Sequence, residues 1–251
     1  MSQTQEVSMF KLALFVLACF ISEVYCMETC TDKWNSLNVR GVPIKYKDLE
    51  GYCGSEFRDK LSLLISTNKD LGYNSARKIM FSDLDNSGGE VCDVYTNFCM
   101  STQGIPDPSI MNCEHTWPQS MGATGIAKSD LNHLYPVGSR VNSTRSNYPF
   151  CEVLNKTWES DGSSLGTSKF GTKCFEPKDS HKGSVARALM YFSVRYNKSL
   201  DKDQEYFARK WNLEFPPTEE DTLRNDKIQE IQNNRNPFID VSYFSNFIDD
   251  F

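Results

Sequence analysis

Apolar positions recur at helical spacing after Ser55, where Phe57, Leu61, Leu64 and Ile65 share one face, and Ser55 is placed to cap that helix. A second helix is expected from a Ser75 cap through Ala76 to Phe81. Between Gly88-Gly89 and Phe98 the pattern changes: Val91 to Phe98 is rich in β-favouring residues and predicts a strand. Farther on, Ser184 opens a predicted helix whose Val185, Ala188, Leu189, Phe192 and Tyr196 form an apolar stripe. Arg187, Tyr191, Arg195 and Lys198 form the opposite stripe, which fits either a solvated face or one that tracks a phosphate backbone. Thr218, after Pro216-Pro217 and before three acidic residues, starts a last predicted helix running toward Asn233. The polar, glycine-containing stretch 160–168 is expected to be a surface loop. Together these elements predict an α+β fold, a mixed helical domain with a small antiparallel sheet.

Composition supports a single globular domain: the chain has 251 residues, 39% hydrophobic and 24% charged, and no internal repeat or low-complexity tract. The run Leu12 to Ile21, after Lys11, has the form of a signal peptide, with Met9 as a more typical start and cleavage placed after Val24-Tyr25-Cys26. It is too short for a bilayer span, which needs about 20 residues. A lipoprotein site at Cys19 would leave a very short apolar core, so residues 1–26 are expected to be a secretory signal and the remainder the mature domain.

Cysteine usage agrees with export. Cys30, Cys53, Cys92, Cys99, Cys113, Cys151 and Cys174 follow the signal, many for a cytosolic chain of this size, and no Cys-x-x-Cys spacing suggests metal binding. Cys92 with Cys99 could close a hairpin and Cys151 with Cys174 the polar loop. An odd count leaves one thiol over, for which Cys113 is the candidate. A secreted or periplasmic location follows, with no stable membrane association.

The chemistry concentrates at Glu114-His115 and at Asn142. Magnesium prefers oxygen ligands, retains several waters and takes few protein side chains, so a carboxylate and an amide suffice. An adjacent imidazole, with an unperturbed pKa of about 6.5, can take a proton from an attacking water. Zinc would want more nitrogen or sulfur ligands, and His115, His133 and His181 are widely spaced.

At these residues the chain resembles the endonuclease I family of secreted and periplasmic nucleases, in the His-Me finger (ββα-metal) superfamily. The resemblance is carried by Glu114-His115-Thr116-Trp117-Pro118-Gln119-Ser120, by Ser129 through Pro136, and by Arg140-Val141-Asn142-Ser143-Thr144-Arg145-Ser146-Asn147. Lys182 through Tyr196 and Asn234 through Asp240 fit its later blocks, so the likeness spans the chain from about residue 45 onward. It implies a metal-dependent endonuclease that hydrolyses DNA, often RNA too, with little sequence preference. His115 matches the general base, and Glu114 and Asn142 match the ligands of Mg2+ or another divalent ion such as Mn2+ or Ca2+. The Glu-His segment and Asp130–Pro136 would be the two arms of the ββα unit and Ser139–Asn147 its helix.

The chain departs from the family pattern in two places. Asn132 stands where members commonly have histidine, and an arginine that some members carry after the Glu-His pair is missing, with Lys128 the sole cation between 116 and 129. Arg140 or Arg145 could take that arginine's place at the phosphate, with Arg187 and Arg195 as further substrate contacts. His133 is expected to be structural, His181 a loop residue before a helix, and Trp117 packing beneath the site. Arg235 and Asn236 would either tie down the C-terminal loop or touch substrate.

Net charge of −6 opposes polyanion binding, yet residues 169–211 hold ten cations against five acids, which would permit a local positive groove. Sequons occur at Asn142, Asn155 and Asn197, and a glycan on Asn142 would block the expected metal position. The expected partner is nucleic acid, and the expected state a monomer. Two competing functions are a secreted nucleic-acid-binding protein without catalysis and a disulfide-rich interaction protein.

Overall fold

A computed structural model describes residues 29–38 and 41–251; the expected signal peptide lies outside the described residues. The described residues before Val42 fall in a unit by themselves. In it Thr29 and Asp32 cap helix α1 (Cys30–Asn38) reciprocally, each backbone N–H donating to the other's side chain.

The second unit, from Val42 onward, is α+β, with helices and three small antiparallel sheets. Helix α2 (Gly54–Leu64) buries Phe57 and Leu61 as its spacing predicts. Helix α3 (Tyr73–Ile79) starts two residues before the expected Ser75 cap and continues into a π turn over Met80–Leu84, burying Met80, Phe81 and Leu84. The expected strand 91–98 is instead a disulfide-closed hairpin of β1 (Glu90–Cys92) and β2 (Cys99–Ser101). The Asp93 carboxylate accepts from the Tyr95 N–H at 2.7 Å and the Thr96 hydroxyl at 2.7 Å, and this Asx turn breaks the extended run despite its β propensity.

Strand β3 (Met111–His115) pairs antiparallel with β4 (Leu134–Gly138), setting Glu114 opposite Tyr135 and His115 opposite Leu134. Helix α4 (Ser139–Arg145) follows at once and packs on both strands. Met111, Cys113, Leu131 and Leu134 join Ala76, Met80, Phe81 and Ile228 in one buried cluster, so the two strands rest on the core.

The stretch 160–168 corrects a sequence expectation. It turns at Asp161-Gly162, both with positive φ, between β5 (Val153–Ser160) and β6 (Ser163–Ser168). Strand β6 is the central strand, between β5 and β7 (Lys173–Glu176), and Ser163, Ser164 and Ser168 are buried. Gly166 has no alternative there, because a Cβ would lie 2.1 Å from the Asn155 carbonyl oxygen. Polarity misled because the buried serines are small, and the Ser163 hydroxyl has a partner in the Tyr95 carbonyl at 2.6 Å.

Helix α5 (Asp179–Tyr196) begins five residues before Ser184, so His181 is helical and buried, not a loop residue. It is buried on nearly all sides, and its second stripe is not a solvent face: Arg187 and Tyr191 are both buried. Helix α6 (Lys202–Glu214) packs on it. Helix α7 (Glu219–Gln232) starts at a complete capping box of Thr218 and Asp221, as expected, and a short α8 (Pro237–Asp240) follows. Cys92–Cys99 and Cys151–Cys174 are bridged, Cys30 and Cys53 are each engaged in a disulfide, and Cys113 is the buried free thiol among the described residues. Among those residues no helix is long and apolar enough to cross a membrane.

Candidate active site

The end of β3, the turn after it and helix α4 line an open cavity of about 440 Å3. Glu114, His115, Asn142 and Arg145 all line it, together with Tyr73, Gln119 and Asn147. Residues 28 positions apart in the chain meet there because the β3–β4 pairing returns the chain beside itself just before α4 begins.

Glu114 is almost fully buried, and two groups hold its Oε1: the Tyr95 hydroxyl donates at 2.9 Å and Arg145 Nε lies at 3.3 Å. Neither contact uses Oε2. Burial raises the carboxyl pKa, with the Arg145 charge and the Tyr95 hydrogen bond acting against it. A cation beside that carboxylate would offset its desolvation, and with the Asn142 amide the donors are the hard oxygens that Mg2+ takes while keeping waters. The residues present therefore fit a divalent ion.

Arg145 is an internal strut. Its guanidinium donates to the Ser146 and Thr116 carbonyls, each at 2.9 Å, and stacks 4.4 Å from the Phe150 ring centre. Geometry also fixes the proton on His115. Nε2 lies 3.1 Å from the Lys128 carbonyl, which can only accept, so Nε2 carries the proton and Nδ1 keeps its lone pair. The Gln119 amide lies 3.3 Å from Nδ1. Burial, reinforced by His133, pushes the His115 pKa down to about 3, which keeps the resting imidazole neutral.

The other residues singled out in the sequence lie elsewhere. Arg140 is exposed and does not line the cavity. Arg187 is buried against Asp221 at 3.1 Å and donates to the Phe215 carbonyl at 2.7 Å, so it is not available to a phosphate. Arg195 is half-buried and bonded to Asn68 at 2.6 Å. His133 donates from Nε2 to the Ala127 carbonyl at 2.7 Å and packs edge-on against Phe192 and His115, a structural role. Trp117 stacks on Phe192. Arg235 pairs with Asp226 and Asp240, and Asn236 caps α8 and donates to the Arg187 carbonyl, so both tie down the C-terminal loop. Among the described residues, the one group of three acidic, thiol or imidazole side chains whose ligand atoms lie within 4.8 Å of one another is Glu90, Cys92 and Cys99, whose sulfurs are already in a disulfide.

Sequence reasoning missed Tyr73, Tyr95 and Gln119. Gln119 lies within the Glu-His block and could have been found from its position, whereas Tyr95 sits in a segment whose pattern speaks only of a strand.

Comparison with known proteins gives a consistent result. The family model for Endonuclease I matches residues 53–242. An extracellular ribonuclease of Bacillus subtilis (strain 168) is 30% identical over 223 residues, covering 78% of this chain and 74% of the relative. An Endonuclease-1 of Buchnera aphidicola is 31% identical over 113 residues, 45% of this chain and 46% of that one. An extracellular deoxyribonuclease of Aeromonas hydrophila is 31% identical over 114 residues, 45% of this chain and 50% of its own.

Proposed function

Because the chain belongs to the endonuclease I family, and is therefore a nuclease that works outside the cytoplasm as a secreted or periplasmic protein, we propose that it is a metal-dependent endonuclease. Its substrates are DNA and RNA, with little sequence preference. The observation that carries the mechanism is the convergence of Glu114, His115 and Asn142 on one cavity. The relatives carry names of both deoxyribonuclease and ribonuclease, which supports activity on both polymers. Amide, hydroxyl and charged side chains dominate the cavity wall, which suits contact with phosphate and sugar.

Glu114 and Asn142 would hold the ion, Mg2+ or a similar divalent cation, which supplies charge stabilisation to the phosphate and to the departing alkoxide. His115 takes the proton of the attacking water on Nδ1, as a P–O bond forms to that water and the opposite P–O bond breaks. The Lys128 carbonyl keeps the ring from turning its protonated edge to the water. A low resting pKa keeps the Nδ1 lone pair unprotonated, the attacking water takes the place of the Gln119 amide that lies 3.3 Å from it, and the negative charge building on the phosphoryl oxygens favours the imidazolium as the proton arrives. Arg145 and Tyr95 keep the Glu114 carboxylate in place.

A binding protein without catalysis would lack part of this trio, and a disulfide-rich interaction protein gives no reason for it. Supercoiled plasmid and a structured RNA, each incubated with protein in Mg2+ and then in excess chelator, test the proposal. Both substrates are cut in Mg2+ and neither in chelator; cutting that persists without the ion contradicts it.

A further inference from the structure

The loop between Cys92 and Cys99 carries Tyr95 into the molecule. Tyr95 is fully buried, its ring packed against Phe175 and His181 at centroid distances of 5.0 and 5.6 Å. Its backbone is held on both sides, the N–H by Asp93 and the carbonyl by Ser163. Lys178 also donates to the Thr96 carbonyl at 2.6 Å, and the Cys92–Cys99 bridge closes the base of the loop. This well-fixed hydroxyl and Arg145 meet the same oxygen of Glu114, Oε1, at 2.9 and 3.3 Å.

Resting on the proposed metal site, we propose that Tyr95 is a positioning residue that makes Glu114 a one-oxygen ligand and thereby selects the ion. With Oε1 held by the hydroxyl and the guanidinium, the carboxylate meets a cation through Oε2. One-oxygen coordination suits the six-coordinate, water-retaining geometry of Mg2+ and Mn2+, whereas Ca2+ takes more oxygens and readily accepts both oxygens of a carboxylate. Partners behind a ligand tune affinity in this way, and losing one commonly costs roughly 10–100-fold. Tyr95→Phe keeps the ring and its packing while freeing Oε1 to rotate.

Mn2+ affinity is read directly from the electron paramagnetic resonance signal of the free ion, and Ca2+ affinity by its displacement of Mn2+, for wild type, Y95F and E114Q. The expected result is a loss of roughly tenfold in Mn2+ affinity for Y95F, with Ca2+ affinity reduced much less, so that the Mn2+ over Ca2+ preference falls. Wild-type Mn2+ affinity in Y95F, or equal losses for both ions, overturns the inference. If E114Q also binds Mn2+ as tightly as wild type, the metal site itself is wrong; if E114Q is weakened and Y95F is not, only the role of Tyr95 falls. A readout on unaltered protein guards against a variant that does not fold. Infrared difference spectra on adding Mg2+ should show the widened carboxylate splitting of one-oxygen coordination, absent in E114Q, and the narrow splitting of two-oxygen coordination overturns the proposal.

Discussion

His115, the proposed base, owes its state to its neighbours. A carbonyl at Nε2 selects the tautomer, burial keeps the ring neutral, and Tyr73 and His133 lean on its faces at centroid distances of 5.4 and 5.5 Å. His115→Ala should lower the rate of plasmid nicking several hundredfold or more, in the range of roughly 10²–10⁴ for a lost general base, while Mn2+ affinity stays near wild type. Equal cleavage by the variant and wild type would remove His115 from the mechanism. The sequons sort by exposure: Asn155 and Asn197 are exposed, whereas Asn142 is half-buried in the cavity wall.

At the scale of elements, the chain is legible where one local signal decides. Thr218 and Asp221 form the box that their spacing announces, and Phe57 and Leu61 mark the buried face of α2; the arm expected over Asp130–Pro136 is a 3-10 turn over Leu131–His133 followed by β4 from Leu134 to Gly138, and α4 starts at the expected Ser139 but ends at Arg145. Illegible parts are those decided by partners far along the chain. The 91–98 run has strand propensity, but Asp93 turns it, and Tyr95 finds Glu114 nineteen residues later. Arg187 reads as an exposed cation until Asp221, 34 residues on, draws it inside. The start of α5 was missed because its first turn carries Asp179, His181 and Lys182, a polar opening. His181 is buried between Tyr95 and Tyr135, and the Lys182 amine pairs with both Glu176 and Asp179 at 2.7 Å.

Over the whole molecule, four of the ten cations of 169–211, namely Lys182, Arg187, Arg209 and Lys210, are tied to acidic partners. A buried acidic hub organises the interior. Asp130 accepts from Tyr191, Tyr196, Gln232 and Asn132, joining the turn before β4 to α5 and to the C-terminal segment. Buried neutral histidines set the acid limit. His115 and His181 are pushed down to about 3, and His133 is lowered too, all chiefly by burial. Below the unfolded value of about 6.5 the unfolded chain binds protons that the folded one refuses, so stability is lost as pH falls from there toward the folded values. Each fully engaged histidine contributes a slope of about 1.4 kcal/mol per pH unit, partly offset by Glu114, which burial shifts the opposite way. Urea midpoints with disulfides intact should fall clearly between pH 7 and pH 5; an unchanged midpoint would mean that these rings are not buried and neutral.

The central claim is that one divalent ion sits between Glu114 and Asn142, beside His115. Anomalous diffraction from crystals soaked in Mn2+ tests it most directly. A peak at roughly 2 Å from Glu114 Oε2 and the Asn142 side-chain oxygen, lost in Glu114→Gln, is the predicted result. A peak at other residues, or one that survives that substitution, would contradict the account.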